Sequence, residues 1–156
     1  MEGQIEFSII KLSELDKIKT RMDAEFYQRK HLRLVEKLGA LGSVGLGAIG
    51  AKLDCSAFYP SITDFYNFDG VGTPFLRVNE IQNGLVKTTG GTAFLPQSIL
   101  DNNQSTICKA APLDIVIAKG GNSLAKLGLL PGDYPSYALS RDLIVMRTAH
   151  LTSAHP

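Results

Sequence analysis

The chain has 156 residues, 44% of them hydrophobic and 20% charged, which suits a single folded domain with its own core and excludes wholesale disorder. A formal net charge of +1 argues against a non-specific nucleic-acid coat, which needs a large basic excess. It leaves room for a module that reads a few base edges beside a larger basic partner. The apolar runs stop well short of the ~20 residues that a membrane helix needs. Met1-Glu2-Gly3-Gln4 lacks the basic and apolar regions of a secretory signal, so a cytoplasmic location with no membrane partner is expected. Cys55 and Cys108 are too few and too far apart for a metal knuckle or disulfide framework and read as two buried thiols.

In chain order, Ile5, Phe7 and Ile9 alternate over residues 5–12 and predict a first strand. Ser13 to Asp16 reads as a short helical turn with a capping serine. Asp23 is a good N-cap for a helix from Ala24 to about Leu38. Along it Tyr27, His31, Leu34, Val35 and Leu38 recur at helical spacing, and this stripe is expected to pack on the domain body. Arg29, Lys30, Arg33 and Lys37 fill much of the other face, and Gly39 and Gly42 supply a stop signal.

Residues 42–50 are small and Gly-rich and read as a loop. Short apolar runs follow, with candidate strands at 74–79, 84–88, 92–95, 105–108, 114–119 and 142–147. Asn83-Gly84 suits a hairpin turn, and Pro96 to Leu100 suits one helical turn. The pattern predicts an α+β fold, one amphipathic helix on a strand-rich body with a mixed or antiparallel sheet. Residues 1–148 form one domain in this reading, and 149–156 are a frayed tail.

Motifs for chemistry are thin. Gly45-Leu46-Gly47-Ala48-Ile49-Gly50 spells G-x-G-x-x-G, but dinucleotide or AdoMet binding requires it to leave a strand and open a helix. The residues before it predict a helix, and those after it make a poor helix start. His31, His150 and His155 lie in the helix or the tail, away from any base or ligand arrangement. The sequence has no G-x-S-x-G elbow, H-E-x-x-H or P-loop, and no Pro-Pro as an amino-methyltransferase motif requires. Asp64, Asp69, Asp114 and Asp133 are scattered and suit turns or caps. No catalytic residue, cofactor site or metal site is assigned.

Two polar clusters remain. Arg77, Asn79, Gln82 and Asn83 surround the expected hairpin turn. Lys119, Asn122, Ser123 and Lys126 line a Gly-rich loop after a buried strand, where Gly120 and Gly121 permit close approach to a partner. Such groups donate to phosphates or base edges. The alternative is structural: Arg77 pairs with an acid such as Glu80, the Asn side chains shape turns, and the basic loop is a solvated turn.

Arg21-Met22-Asp23-Ala24-Glu25-Phe26-Tyr27, followed by a basic helix, resembles the opening of the target recognition domain of type I restriction–modification specificity subunits. Gly72-Thr73-Pro74-Phe75-Leu76-Arg77-Val78-Asn79 through Gly84 is similar to that family's strand–turn–strand element. Asp114 to Ser123 resembles its next strand and loop, with Leu113 where the family pattern has Gly, and Asp142 to Arg147 resembles its closing strand. These elements keep the family's order across residues 5–148.

The resemblance implies a non-catalytic, sequence-specific subunit, half-subunit or fragment. It would bind double-stranded DNA and direct methyltransferase and restriction subunits to it, with AdoMet, Mg²⁺ and ATP belonging to those partners. Two other readings stay open: a small nucleotide- or AdoMet-binding protein using the Gly45–Gly50 loop, and an interaction module of the same fold without a DNA role.

Overall fold

A computed structural model describes residues 8–15 and 24–147. The chain divides into two compact units, Met1–Gly45 and Leu46–Pro156, taken here in turn. Ile5, Phe7, Asp16, Asp23 and the tail expected over 149–156 lie outside the described residues.

In the first unit the strand expected over 5–12 is not formed in its described part: residues 8–11 are irregular, and Leu12–Glu14 is a single 3₁₀ turn. The helix, α1, spans Arg29–Ala40 and starts later than the sequence predicts, because Ala24 to Tyr27 form a separate turn. Gln28 stands at its N-cap in extended conformation with no side-chain cap. Its C-terminus follows the Schellman pattern. Gly42 adopts φ +71, its N–H donates to Gly39 O (3.0 Å), and Ser43 N–H donates to Leu38 O (3.1 Å). The glycine stop therefore acts two residues past the helix.

The burial expected for the α1 stripe is absent. No α1 residue is buried, and Leu34, Val35 and Leu38 are 53%, 62% and 43% exposed. Tyr27, just ahead of the helix, is the buried member of the stripe; Phe26 meets it edge-on, and the Ser8 hydroxyl donates to its carbonyl. Helical spacing of apolar residues defines an apolar face; it does not supply a partner for that face.

The second unit is strand-dominated. Its strands are β1 (Lys52–Cys55), β2 (Thr73–Leu76), β3 (Ile81–Gln82), β4 (Gly84–Val86), β5 (Ala93–Leu95), β6 (Lys109–Ala110), β7 (Ile115–Ala118), β8 (Leu127–Leu129), β9 (Tyr137–Leu139) and β10 (Leu143–Arg147). A short helix, α2 (Gln97–Asn102), follows Pro96 as expected. One sheet has six strands in the order β1-β10-β7-β8-β4-β3, and the other has four in the order β5-β2-β9-β6. Both are mixed: β4 runs parallel to β8 and β2 parallel to β9, and the remaining pairs are antiparallel. The fold is α+β, as the sequence predicts.

Five of the six expected strands form, most of them shortened. The exception is 105–108, a turn after α2 whose chain becomes extended only at Lys109. The expected strand 74–79 stops at Leu76, where Val78–Glu80 coils into a 3₁₀ turn.

The four-stranded sheet is the middle layer. Leu76, Tyr137 and Leu139 join Ile81, Val86, Val116, Ala118, Leu143 and Val145 of the six-stranded sheet in one buried cluster. Phe75, Ala93, Leu95 and Ala138 join Ile62, Leu100 and Ile107 in a second. Alternate residues of β2 and β9 thus enter opposite cores, which is why β5 and β9 are buried at every position.

The six-stranded sheet is buried on one face only, and Leu53, Leu85, Leu127 and Leu129 are exposed. Cys108 is buried, but Cys55, on the exposed edge strand β1, is not, against the expectation of two buried thiols.

Gly72 leaves no room for a side chain, and Gly128 leaves little. Gly72 has φ +109, and a Cβ there would run into the Leu95 carbonyl oxygen; a Cβ at Gly128 would lie 3.0 Å from both Ile81 Cγ2 and Val86 Cγ2, which would have to give way slightly.

Candidate nucleic-acid interface

The Asn-Gly hairpin forms as predicted. Ile81 pairs with Val86 and Gln82 with Leu85, and the two residues at the tip, Asn83 and Gly84, have φ +52 and +80. Two consecutive positive φ angles define the type I′ turn that matches strand twist, and Asn and Gly tolerate them best. Gln82 and Asn83 are exposed at this tip.

The loop from Lys119 to Lys126 connects the antiparallel strands β7 and β8. Its neck is closed by Ala125 N–H to Ala118 O (3.0 Å) and Ala118 N–H to Lys126 O (2.9 Å), with Ala125 at φ +62. Gly121–Ser123 form a 3₁₀ turn at its head. Asn122 and Lys126 are exposed, Lys119 and Ser123 half-buried. Lys119 N–H donates to Asp142 O (2.8 Å), which fixes the loop's first residue against the chain entering β10.

These two features share one end of the six-stranded sheet. Because β4 and β8 are parallel, with Gly84 opposite Gly128, both strands begin at the same end. The tip precedes β4 and the loop precedes β8, so Gln82 and Asn83 come together with Lys119, Asn122, Ser123 and Lys126.

Arg77 and Asn79 are not at the tip. They precede Ile81 and lie at the hairpin's other end, about 7 Å or more back along a two-residue strand. Asn79 is exposed. Arg77 is engaged: its guanidinium donates to Gly91 O (3.0 Å) and meets the Glu80 carboxylate at 3.5 Å. Buried Glu80 also accepts from Arg77 N–H (2.8 Å) and from the Thr92 hydroxyl (3.5 Å).

Arg147 has a similar structural task. It donates to Asp54 (2.8 Å), to Lys109 O (3.1 Å) and toward Cys108 Sγ (3.6 Å), and lies 3.9 Å from buried Asp114. Burial, helped by hydrogen bonding to Asp54, pushes the Cys108 thiol up to about 12, so this sulfur stays protonated and un-nucleophilic at neutral pH. Asp114 accepts from Ala111 N–H (2.9 Å), the turn role the sequence suggests. Leu113 adopts φ +69. Asp114 N–H donates to Ala111 O (3.2 Å) across Pro112-Leu113, the type II arrangement in which glycine is favoured at that position.

Sequence reasoning missed Arg141. It occupies the tight turn between β9 and β10, closed by Leu143 N–H to Ser140 O (3.2 Å), and its guanidinium carbon lies 5.1 Å from the Phe58 ring centre and 5.3 Å from that of Tyr59. The partners are more than eighty positions apart in sequence, and no local signal joins them.

The Gly45–Gly50 loop follows α1 and leads into β1, the reverse of the strand-to-helix order that a dinucleotide cradle uses. Among the described residues no group of three or more His, Cys, Asp or Glu is arranged to hold a metal ion. No helix among them is long and apolar enough to cross a membrane.

The second unit is thus a two-sheet α+β body with polar turns collected at one end. No family model matches the chain, and no curated protein does. Among solved structures it is similar to the HsdS subunit from Thermoanaerobacter tengcongensis, with 20% identity and a TM-score of 0.45 over 67% of this chain and 22% of that one. It is also similar to a chain from a structure of the type I R-M system, with 15% identity and a TM-score of 0.46 over 76% of this chain and 33% of that one.

Proposed function

We propose that the chain is a non-catalytic DNA-specificity module of a type I restriction–modification system, acting as a specificity subunit, a half-subunit or part of one. It binds one half of a bipartite site on double-stranded DNA and directs methyltransferase and restriction subunits there, in the cytoplasm. The partners hold AdoMet, Mg²⁺ and ATP.

The observation that carries this reading is the shared sheet end that joins the Gln82–Asn83 tip to the Lys119–Lys126 loop. A rigid sheet launches both, so their side chains keep a fixed spacing. Amides and a hydroxyl suit base edges, and the two lysines suit phosphates. The ordered sequence motifs support the same reading independently. Near-neutral charge is compatible with it, because partner subunits supply much of the phosphate attraction.

Methylation-site mapping in cells carrying the neighbouring methyltransferase, with and without this chain, tests the proposal. A methylated motif that disappears with the chain is expected; an unchanged methylation map overturns it. Within that complex, Lys126→Ala weakens binding to all sequences alike and lowers the salt slope by about one, whereas Asn122→Ala blurs preference at one base pair by ~1–3 kcal/mol.

A further inference from the structure

The second unit has three arginines, Arg77, Arg141 and Arg147, and they divide sharply. Arg77 is tied to Glu80, and Arg147 to Asp54 and Asp114. Arg141 is exposed and makes no ion pair among the described residues, yet it is not loose. Its turn is fixed on one side by Ser140 N–H to Leu76 O (2.8 Å) and on the other by Lys119 N–H to Asp142 O (2.8 Å). Arg141 therefore stands beside the first residue of the polar loop, at the same sheet end.

The rings under it are also held. Ser56, buried, donates its hydroxyl to Leu139 O (2.6 Å) and accepts from Cys108 N–H (2.9 Å), and Ala57 N–H donates to Thr106 O (2.8 Å). These bonds anchor the chain that presents Phe58 and Tyr59. Tyr59 packs against buried Phe75 (6.4 Å between ring centres), while Phe58 is 77% exposed. The Tyr59 hydroxyl accepts from Arg141, whereas Phe58, a large aromatic left in water beside a guanidinium with no acidic partner among the described residues, gains little for the core. It does restrict the orientation of the guanidinium fork.

We propose that Arg141 is a base-reading residue, whose guanidinium, steadied over Phe58 and Tyr59, donates to the paired O6 and N7 acceptors of a guanine in the major groove. The inference rests on the reading of the chain as a DNA-specificity module and adds to it a residue and a base. A phosphate contact needs only a positive charge, which Lys119 and Lys126 already supply at this end. A pre-oriented fork is what two acceptors on one base edge require.

The test is selection from a randomised duplex library by the full chain purified with its neighbouring methyltransferase, comparing wild type, Arg141→Lys and Phe58→Leu. Lysine keeps the charge and loses the fork. The expected result is about a tenfold or greater loss of preference at one G·C pair for Arg141→Lys, with an unchanged salt slope. Phe58→Leu blurs the same pair to a smaller degree, and thermal melting of both variants matches wild type. Retained preference at every position, or an even loss of affinity across all sequences, overturns the inference and leaves the DNA-binding reading standing. A wild-type complex that enriches no motif overturns both.

Discussion

The two compact units spend their apolar residues differently. In the first, α1 carries Leu34, Val35 and Leu38 at helical spacing, and all three remain exposed. In the second, β9 is three residues long, and Tyr137, Ala138 and Leu139 are each fully buried. The longer and more regular pattern belongs to the less buried element. Periodicity reports the geometry of one element, whereas burial depends on what the rest of the chain brings against it. Sheet layering gives β9 a partner on both faces.

Substitutions in the two units measure this contrast directly. The largest effect is expected at Leu139, which has no exposed surface and packs between the two sheets. Leu139→Ala should cost about 2–5 kcal/mol through lost transfer energy and the cavity left behind. Denaturant unfolding of the full chain checks it, and a cost below about 1 kcal/mol would mean that the layer is loosely packed.

A turn in the same unit sharpens the comparison in the opposite direction. Leu113 holds φ +69 and is 58% exposed, so it bears backbone strain while burying little. Leu113→Gly removes that strain and should raise stability by about 1 kcal/mol, less what glycine's freedom in the unfolded chain takes back. Destabilisation by the glycine variant in the same unfolding assay would show that the leucine side chain matters more than its dihedral.

The readable parts of this sequence are those decided by local chemistry. Asn83-Gly84 marks its hairpin because few residues accept two successive positive φ angles, and Pro96 opens α2. The strands β1, β8 and β9 were not legible, each for a different reason. Lys52-Leu53-Asp54-Cys55 of β1 does alternate, but the run is only four residues long and all four are exposed, so it carries no core signal. Gly128 interrupts the apolar run of β8, where the close approach of the Ile81 and Val86 methyls favours glycine. Burial on both faces removes alternation from β9. In the candidate interface, the polar tip and loop were visible singly, but their common end follows from the parallel β4–β8 register, a long-range pairing. Arg141 depends on a contact with Phe58 and Tyr59 that only the tertiary fold creates.

The Asp54–Arg147 pair gives a smaller, pH-dependent effect on the second unit. Hydrogen bonding to Arg147 holds the Asp54 carboxyl below its ordinary 3.8, outweighing the opposing effect of burial. A lowered carboxylate pKa stabilises the fold above the unfolded-state value, and that contribution is lost as pH falls through the folded value. The loss therefore falls below about pH 4. Asp54 is 53% exposed, so screening keeps the contribution under about 1 kcal/mol. Asp54→Asn should flatten the acid limb of the stability curve slightly and leave stability near pH 2 unchanged. Equal losses in the variant at every pH would assign the effect to something other than the ion pair.

The smallest effect is expected where the sequence pattern is most regular. Leu34 lies in the middle of α1 and is 53% exposed, so its removal uncovers no closed cavity. Alanine is at least as good a helix former as leucine, which offsets part of the apolar contact that is lost. Leu34→Ala should therefore change stability by no more than about 0.5 kcal/mol and leave helical circular dichroism intact, as an exposed helix position does. Leu34→Ala and Leu139→Ala remove the same atoms from the same residue type, so the difference in their costs reports mainly burial, with a smaller part from alanine's preference for helix over strand. A cost at Leu34 of 2 kcal/mol or more would break the comparison, because it would require the apolar face of α1 to be covered in solution.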